Sequence, residues 1–139
     1  MQITQRFLTS ADTEKVWQIL ADVENWTSWN STIVAITPLT PEGMRTGARY
    51  SVQQRKLSPT EYEVTDYTPN KAFTWVHKFP GGEMVADHRI AATNEGTSVE
   101  LSFSSRGFLG NFFGAIFSKL IAEYVVTEAK GLKQRCDLF

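Results

Sequence analysis

The stretch from Gly107 to Asp137 places the strongest constraint on the fold. It opens with Phe108, Leu109, Phe112, Phe113, Ile116 and Phe117, then continues as a stripe of Leu120, Ile121, Tyr124, Val125, Leu132 and Cys136. Steps of three and four put such residues on one face of an α-helix. Lys119, Glu123, Glu128, Lys130, Lys133 and Arg135 fall on the other face. The spacing predicts one helix of about 30 residues, roughly 45 Å long. Its first half is apolar nearly all round, its second half on one side only. A helix of this kind needs a large concave partner.

The rest of the chain supplies strands. Gln2 to Leu8 alternates in polarity. Ser10 or Asp12 can cap the helix that follows, with Glu14 in its first turn, where the dipole favours an anion. Val16, Ile19, Leu20 and Val23 form its apolar stripe, and Asn25 to Asn30 predicts a second short helix carrying Trp26 and Trp29. Six strands follow, over 31–39, 48–55, 61–67, 71–79, 83–92 and 98–105, separated by Pro- and Gly-containing turns. Short turns between the later strands imply an antiparallel meander, apolar on one face. A sheet curved around the long helix buries both. With no linker, repeat or low-complexity stretch, residues 1–139 are expected to form one domain.

Composition narrows the function. A net charge of -1 and a pI near 6.1 give no general attraction to nucleic acid or anionic membranes. Cys136 is the only cysteine, so no internal disulfide forms and a reducing, cytoplasmic setting is expected. The N-terminus lacks the pattern of a signal peptide. The longest charge-free apolar run, Gly107 to Ser118, falls short of the roughly 20 residues that span a bilayer. No phosphate-binding glycine loop, Ser/His/Asp order or H-E-x-x-H occurs. No cofactor is expected.

The segment Asp22-Val23-Glu24-Asn25-Trp26-Thr27-Ser28-Trp29-Asn30 resembles the D-x-x-x-W-x-x-W-N segment of the polyketide cyclase/dehydrase and lipid-transport proteins of the START-like superfamily. Gly47, Tyr67-Thr68-Pro69-Asn70-Lys71 before Trp75, Gly96-Thr97, the Gly107–Gly114 segment and Gly131-Leu132-Lys133 fit the same pattern in order and spacing. The likeness covers essentially the whole chain. It implies an α+β helix-grip fold: a seven-stranded antiparallel sheet curved around a long C-terminal helix, with two short helices between strands 1 and 2. It also implies a cavity between sheet and helix for a small hydrophobic ligand, such as a lipid, polyketide-like or aromatic compound.

Alternation then assigns the inward positions. The expected ligand-binding residues are Trp26, Tyr50, Tyr62, Phe73, Trp75, His77, Met84, His88, Leu101 and Phe103, with Phe113 and Phe117 covering them from the helix. Val52, Val64, Ala86 and Ile90 share the face. A filled hydrophobic core has the same composition, so pocket and core both remain open here. Trp26 and Trp29 read as a lid at the cavity mouth or as anchors, and the glycines of 107–114 as a mobile gate.

The histidines are the sharpest feature. If Gly81-Gly82 forms the hairpin turn, Trp75 faces His88 and His77 faces Ala86, so the two imidazoles are diagonal neighbours. One could act as general base of a cyclase or dehydratase, with Tyr50 or Tyr62 donating to the oxyanion. Both could equally be hydrogen-bonded fillers of the interior. Two histidines with no inward Asp, Glu or Cys make a poor metal site. The first expectation is therefore a binding or transport module, the second an enzyme using His77 or His88, and the third a partner-protein module using the sheet edge or the Phe-rich helix start. Monomer and homodimer both remain open.

Overall fold

The computed structural model describes residues 1–138. Seven strands form one antiparallel sheet: β1 (Gln2–Thr9), β2 (Ile33–Pro38), β3 (Arg49–Gln54), β4 (Thr60–Thr68), β5 (Ala72–Phe79), β6 (Gly82–Thr93) and β7 (Gly96–Arg106). Their spatial order is β1-β7-β6-β5-β4-β3-β2. Between β1 and β2 the chain crosses from one sheet edge to the other through α1 (Thr13–Ala21) and a 3-10 turn over Val23–Ser28. Asp12 caps α1, its carboxylate accepting the Lys15 amide at 2.9 Å. A bulge between Val64 and Asp66 bends β4.

The C-terminal segment differs from its expectation. It is two helices, α2 (Phe108–Ile116) and α3 (Ser118–Asp137), which meet at 76°. Phe117 sits at the joint, with φ -98° and ψ 10°. Backbone contact explains the bend. A Cβ on Gly82 would lie 2.3 Å from the Gly110 amide nitrogen, and a Cβ on Gly114 would lie 2.7 Å from Ser105 Oγ. Glycines thus let α2 rest directly on the β5–β6 turn and the end of β7, a direction that α3 cannot share. They serve as contact surfaces for α2. Docked this way, α2 exposes Phe108, Phe112 and Ile116. Among the described residues, no single helix is long and apolar enough to cross a membrane.

The hairpin register also differs. Phe79 pairs with Gly82, so Pro80 and Gly81 make the turn, with Gly81 at φ +84°. Trp75 therefore faces Ala86, His77 faces Met84 and Phe73 faces His88. The faces are unchanged, since the shift is an even number of residues. The neighbours are not. His77 lies four residues along the strand from the partner of His88, about 13 Å by strand rise, and the two imidazoles do not reach a common atom.

The core runs across the inner face of the sheet, and α3 joins it through its C-terminal half. Leu132, Cys136 and Ala129 of α3 pack into one cluster with Val16, Trp17 and Leu20 of α1 and Val99 of β7. Each fully buried Val or Leu contributes about 1.5–3 kcal/mol. Polar ties reinforce this end: Lys133 donates to the Leu8 carbonyl at 2.9 Å, Lys15 to the Cys136 carbonyl at 3.1 Å, and Thr9 to Asp137 at 2.6 Å. Gly131 lets α3 approach the loop after the 3-10 turn, where a Cβ would stand 2.0 Å from the Trp29 carbonyl oxygen. Gly131→Ala is expected to destabilise the protein by about 1–3 kcal/mol through overpacking, although Ala normally favours a helix by about 1 kcal/mol. Urea denaturation checks the sign.

Candidate functional site

The N-terminal half of α3 stands away from the sheet. The space beneath it is a cavity of about 300 Å³. Its walls come from β2 to β7, the 3-10 turn, α2 and α3. Leu101, Ala86, Met84 and Phe103 form its floor, and Ile121 and Val125 its roof. Exposed Phe113 and Phe117, with Leu57, Thr60, Phe79 and Tyr124, surround the mouth. Tyr124 donates its hydroxyl to the Arg55 carbonyl, which ties this half of α3 to the end of β3.

Ten of the twelve residues expected at the site line this cavity: Trp26, Tyr62, Trp75, His77, Met84, His88, Leu101, Phe103, Phe113 and Phe117. Tyr50 and Phe73 do not. Both point inward but are packed over by neighbours: Tyr50 lies 5.9 Å from Trp75, and Phe73 stacks on His88 at 4.1 Å. Trp26 is no lid. It is buried at the inner end, where its indole N–H donates to the Leu20 carbonyl at 2.9 Å and its ring lies 5.5 Å from both Trp75 and His88. Trp29 packs against it at 5.2 Å.

One lining residue lies on the opposite face from that expected. Glu128 points inward. Ile121, Val125, Glu128, Leu132 and Cys136 are spaced by four, three, four and four, so Glu128 fills the gap in the apolar stripe. That spacing is the available signal, and the charge of the residue masks it. The premise that no inward carboxylate exists is thereby corrected. Among the described residues, no group of three or more His, Cys, Asp or Glu forms a cluster able to hold a metal ion.

Glu128, His88 and Asn30 form the polar inner end. Asn30 is buried, and its carbonyl oxygen accepts both the Thr32 amide at 3.1 Å and the Thr32 hydroxyl at 2.8 Å. This turns its amide nitrogen toward Glu128 Oε1, at 3.4 Å. His88 Nδ1 stands 3.1 Å from the Phe73 carbonyl oxygen. A carbonyl only accepts, so Nδ1 carries the proton and Nε2 presents a lone pair. Nε2 lies 4.0 Å from Glu128 Oε2, beyond hydrogen-bond length. His77 is half-buried nearer the mouth, with Nδ1 at 3.0 Å from the Glu61 carbonyl oxygen.

The sequence profile of the polyketide cyclase/dehydrase and lipid transport family matches residues 1–137. The chain belongs to that family. Solved structures share its fold. The protein TTHA0849 of Thermus thermophilus superposes with a TM-score of 0.76 at 16% identity, over 98% of this chain and 97% of the other. The hypothetical protein jhp0584 of Helicobacter pylori gives 0.80 at 13% identity, over 98% and 88%. The di-domain ARO/CYC StfQ from the steffimycin biosynthetic pathway gives 0.76 at 7% identity, over 96% of this chain and 49% of the larger one. Identities this low show a common fold and nothing finer. No functionally curated protein matches the chain by sequence.

In this family member, burial sets the charges of the inner end. It raises the Glu128 carboxyl from 4.5 to about 8, although 17% of the side chain stays accessible on the cavity wall. Burial also lowers His88 from 6.5 to about 4, against the opposing effects of its bond to Phe73 and of Asp87. Burial raises the Tyr62 phenol, and the charge of Glu128 adds to the shift. At pH 7 His88 and Tyr62 are therefore neutral, and Glu128 is mostly protonated. Unfolded, Glu128 ionises near 4.5; folded, it holds its proton to about 8. Stability from this group is complete below pH 4.5 and falls as pH rises through 8, by up to about 1.4 kcal/mol per pH unit. His88 has the opposite sign: its contribution is present above pH 6.5 and lost as pH falls through 4. Glu128→Gln removes the first dependence. Its stability relative to the unaltered protein is expected to rise from about pH 5 to about pH 8 and then level off, as read by urea denaturation at each pH.

Proposed function

We propose that this protein binds a small, largely apolar molecule in the cavity between the sheet and α3, and carries or sequesters it. The observation that carries this reading is the cavity itself: about 300 Å³, walled by aromatic and aliphatic side chains, with a few convergent polar groups at its inner end. Ligand sites have this composition and size. The family's description as polyketide cyclase/dehydrase and lipid transport supports the same class of ligand.

A cyclase or dehydratase remains the second reading, favoured by one observation. The Nε2 lone pair of His88 stands opposite a protonated Glu128, giving a base and an acid on one wall. An imidazole lowered to about 4 is a weak base at neutral pH, because efficiency peaks when the pKa lies near the working pH. His77 lies too far along β5 to share its substrate atom. Carriage is therefore the better supported of the two. The third reading, partner docking, draws on the exposed apolar face of α2 beside the mouth.

The test is uptake of a neutral fluorescent probe, N-phenyl-1-naphthylamine, by the native protein. Saturable enhancement with one site per chain is expected. Ala86→Phe, which places a ring in the floor opposite Trp75 and Phe103, should weaken uptake at least about tenfold while leaving the unfolding transition in place. Equal uptake by both proteins would place the probe elsewhere and remove the cavity as the site.

A further inference from the structure

The charge pattern of the cavity restricts the polar end of any ligand. Glu128 is the single carboxyl on its wall, and among the described residues no Lys or Arg lines it. A ligand carboxylate or phosphate would be buried beside an acid with no cation to meet it, and buried charges need partners. Once Glu128 gives up its proton, the inner end offers two acceptors instead. Glu128 Oε2 and His88 Nε2 stand 4.0 Å apart, and neither bonds the other. Glu128 Oε1 has a long, 3.4 Å contact from the Asn30 amide. The indoles of Trp26 and Trp75 and the ring of Tyr62 border the same space, Trp26 and Trp75 5.5 Å apart and Tyr62 5.3 Å from Trp75. Aromatic faces attract cations.

We propose that the cavity selects a lipophilic primary amine, bound as its ammonium ion with Glu128 as counter-ion, His88 Nε2 as second acceptor, and Trp26, Trp75 and Tyr62 around the charge. This rests on the ligand-binding reading above and specifies its polar end. An ammonium carries three donors, enough to reach both acceptors at once. Binding moves one proton. The resting carboxyl is mostly protonated at pH 7, and pairing with the ammonium ionises it, so its proton passes to buffer. The other titratable groups facing Glu128 are His88 from β6 and Tyr62 from β4, with Tyr124 one turn back on α3 and His77 further along the wall on β5. Burial keeps His88 neutral at pH 7, and the tyrosines carry no positive charge, so neither holds Glu128 ionised beforehand.

Calorimetric titration of three compounds with one apolar body tests the proposal: 2-(1-naphthyl)ethylamine, 2-(1-naphthyl)ethanol and 1-naphthylacetate. The amine is expected to bind at least about tenfold tighter than the alcohol, and the carboxylate weakest. Paired buffers of different ionisation heat should show nearly one proton released per amine at pH 7 and none for the alcohol. Amine affinity should rise about tenfold per pH unit from pH 6 toward 8 and then level. Glu128→Gln should bring the amine-to-alcohol ratio close to one. Equal binding of amine and alcohol by the unaltered protein, or amine binding without proton release, would overturn the proposal while leaving the ligand cavity standing. Failure of all three compounds to bind would overturn the cavity reading and this proposal together.

Discussion

The structure depends on how α3 is fastened. At its C-terminal end, Leu132 and Cys136 are sunk into the core, Gly131 lies against the Trp29 carbonyl, and Lys15, Lys133 and Asp137 tie the last turns to α1 and β1. At its N-terminal end the helix borders the cavity, and the Tyr124–Arg55 bond ties it to the end of β3. The curved sheet and the helix therefore diverge like a wedge. The narrow end holds the fold together, and the wide end is the cavity. Because α2 rests on glycines at the end of the β5–β6 hairpin, it cannot extend α3 along the sheet and close the gap.

The position of the polar groups follows from that wedge. Glu128 lies just before the point where α3 makes full contact, deep enough to lose most of its water but not packed into the core. Burial then outweighs Coulomb interactions, and it drives an acid and an imidazole toward their neutral forms from opposite directions. A carboxyl held neutral in an aromatic cavity is costly to ionise alone and responsive to any cation that arrives. Stability and ligand choice thus meet in one side chain.

The strands were legible because alternation reports a half-buried sheet directly, and β1 to β7 lie within a few residues of their expected bounds. Inward faces were legible for the same reason, which is why a register difference of two residues left the lining almost intact. That difference arose because Pro80-Gly81 and Gly81-Gly82 can both serve as two-residue turns, and only the closed hairpin decides between them. The break at Phe117 was hidden because apolar spacing runs through it unbroken, and the contact of Gly110 with Gly82 is between residues far apart in sequence. Tyr50 and Phe73 show the limit of alternation, which separates inside from outside but not cavity wall from packed core. Glu128 was misplaced by its charge alone, since its position in the helical stripe already pointed inward.

The central claim is that the wide end of the wedge is open, apolar space. The most direct measurement is a crystal structure of the protein pressurised with xenon, a gas that settles in apolar cavities. The account predicts xenon between Leu101 and Ala86 on the sheet side and Val125 on α3, with the side chains in place. Absence of xenon there, with α3 or the mouth phenylalanines collapsed onto the sheet, would contradict it.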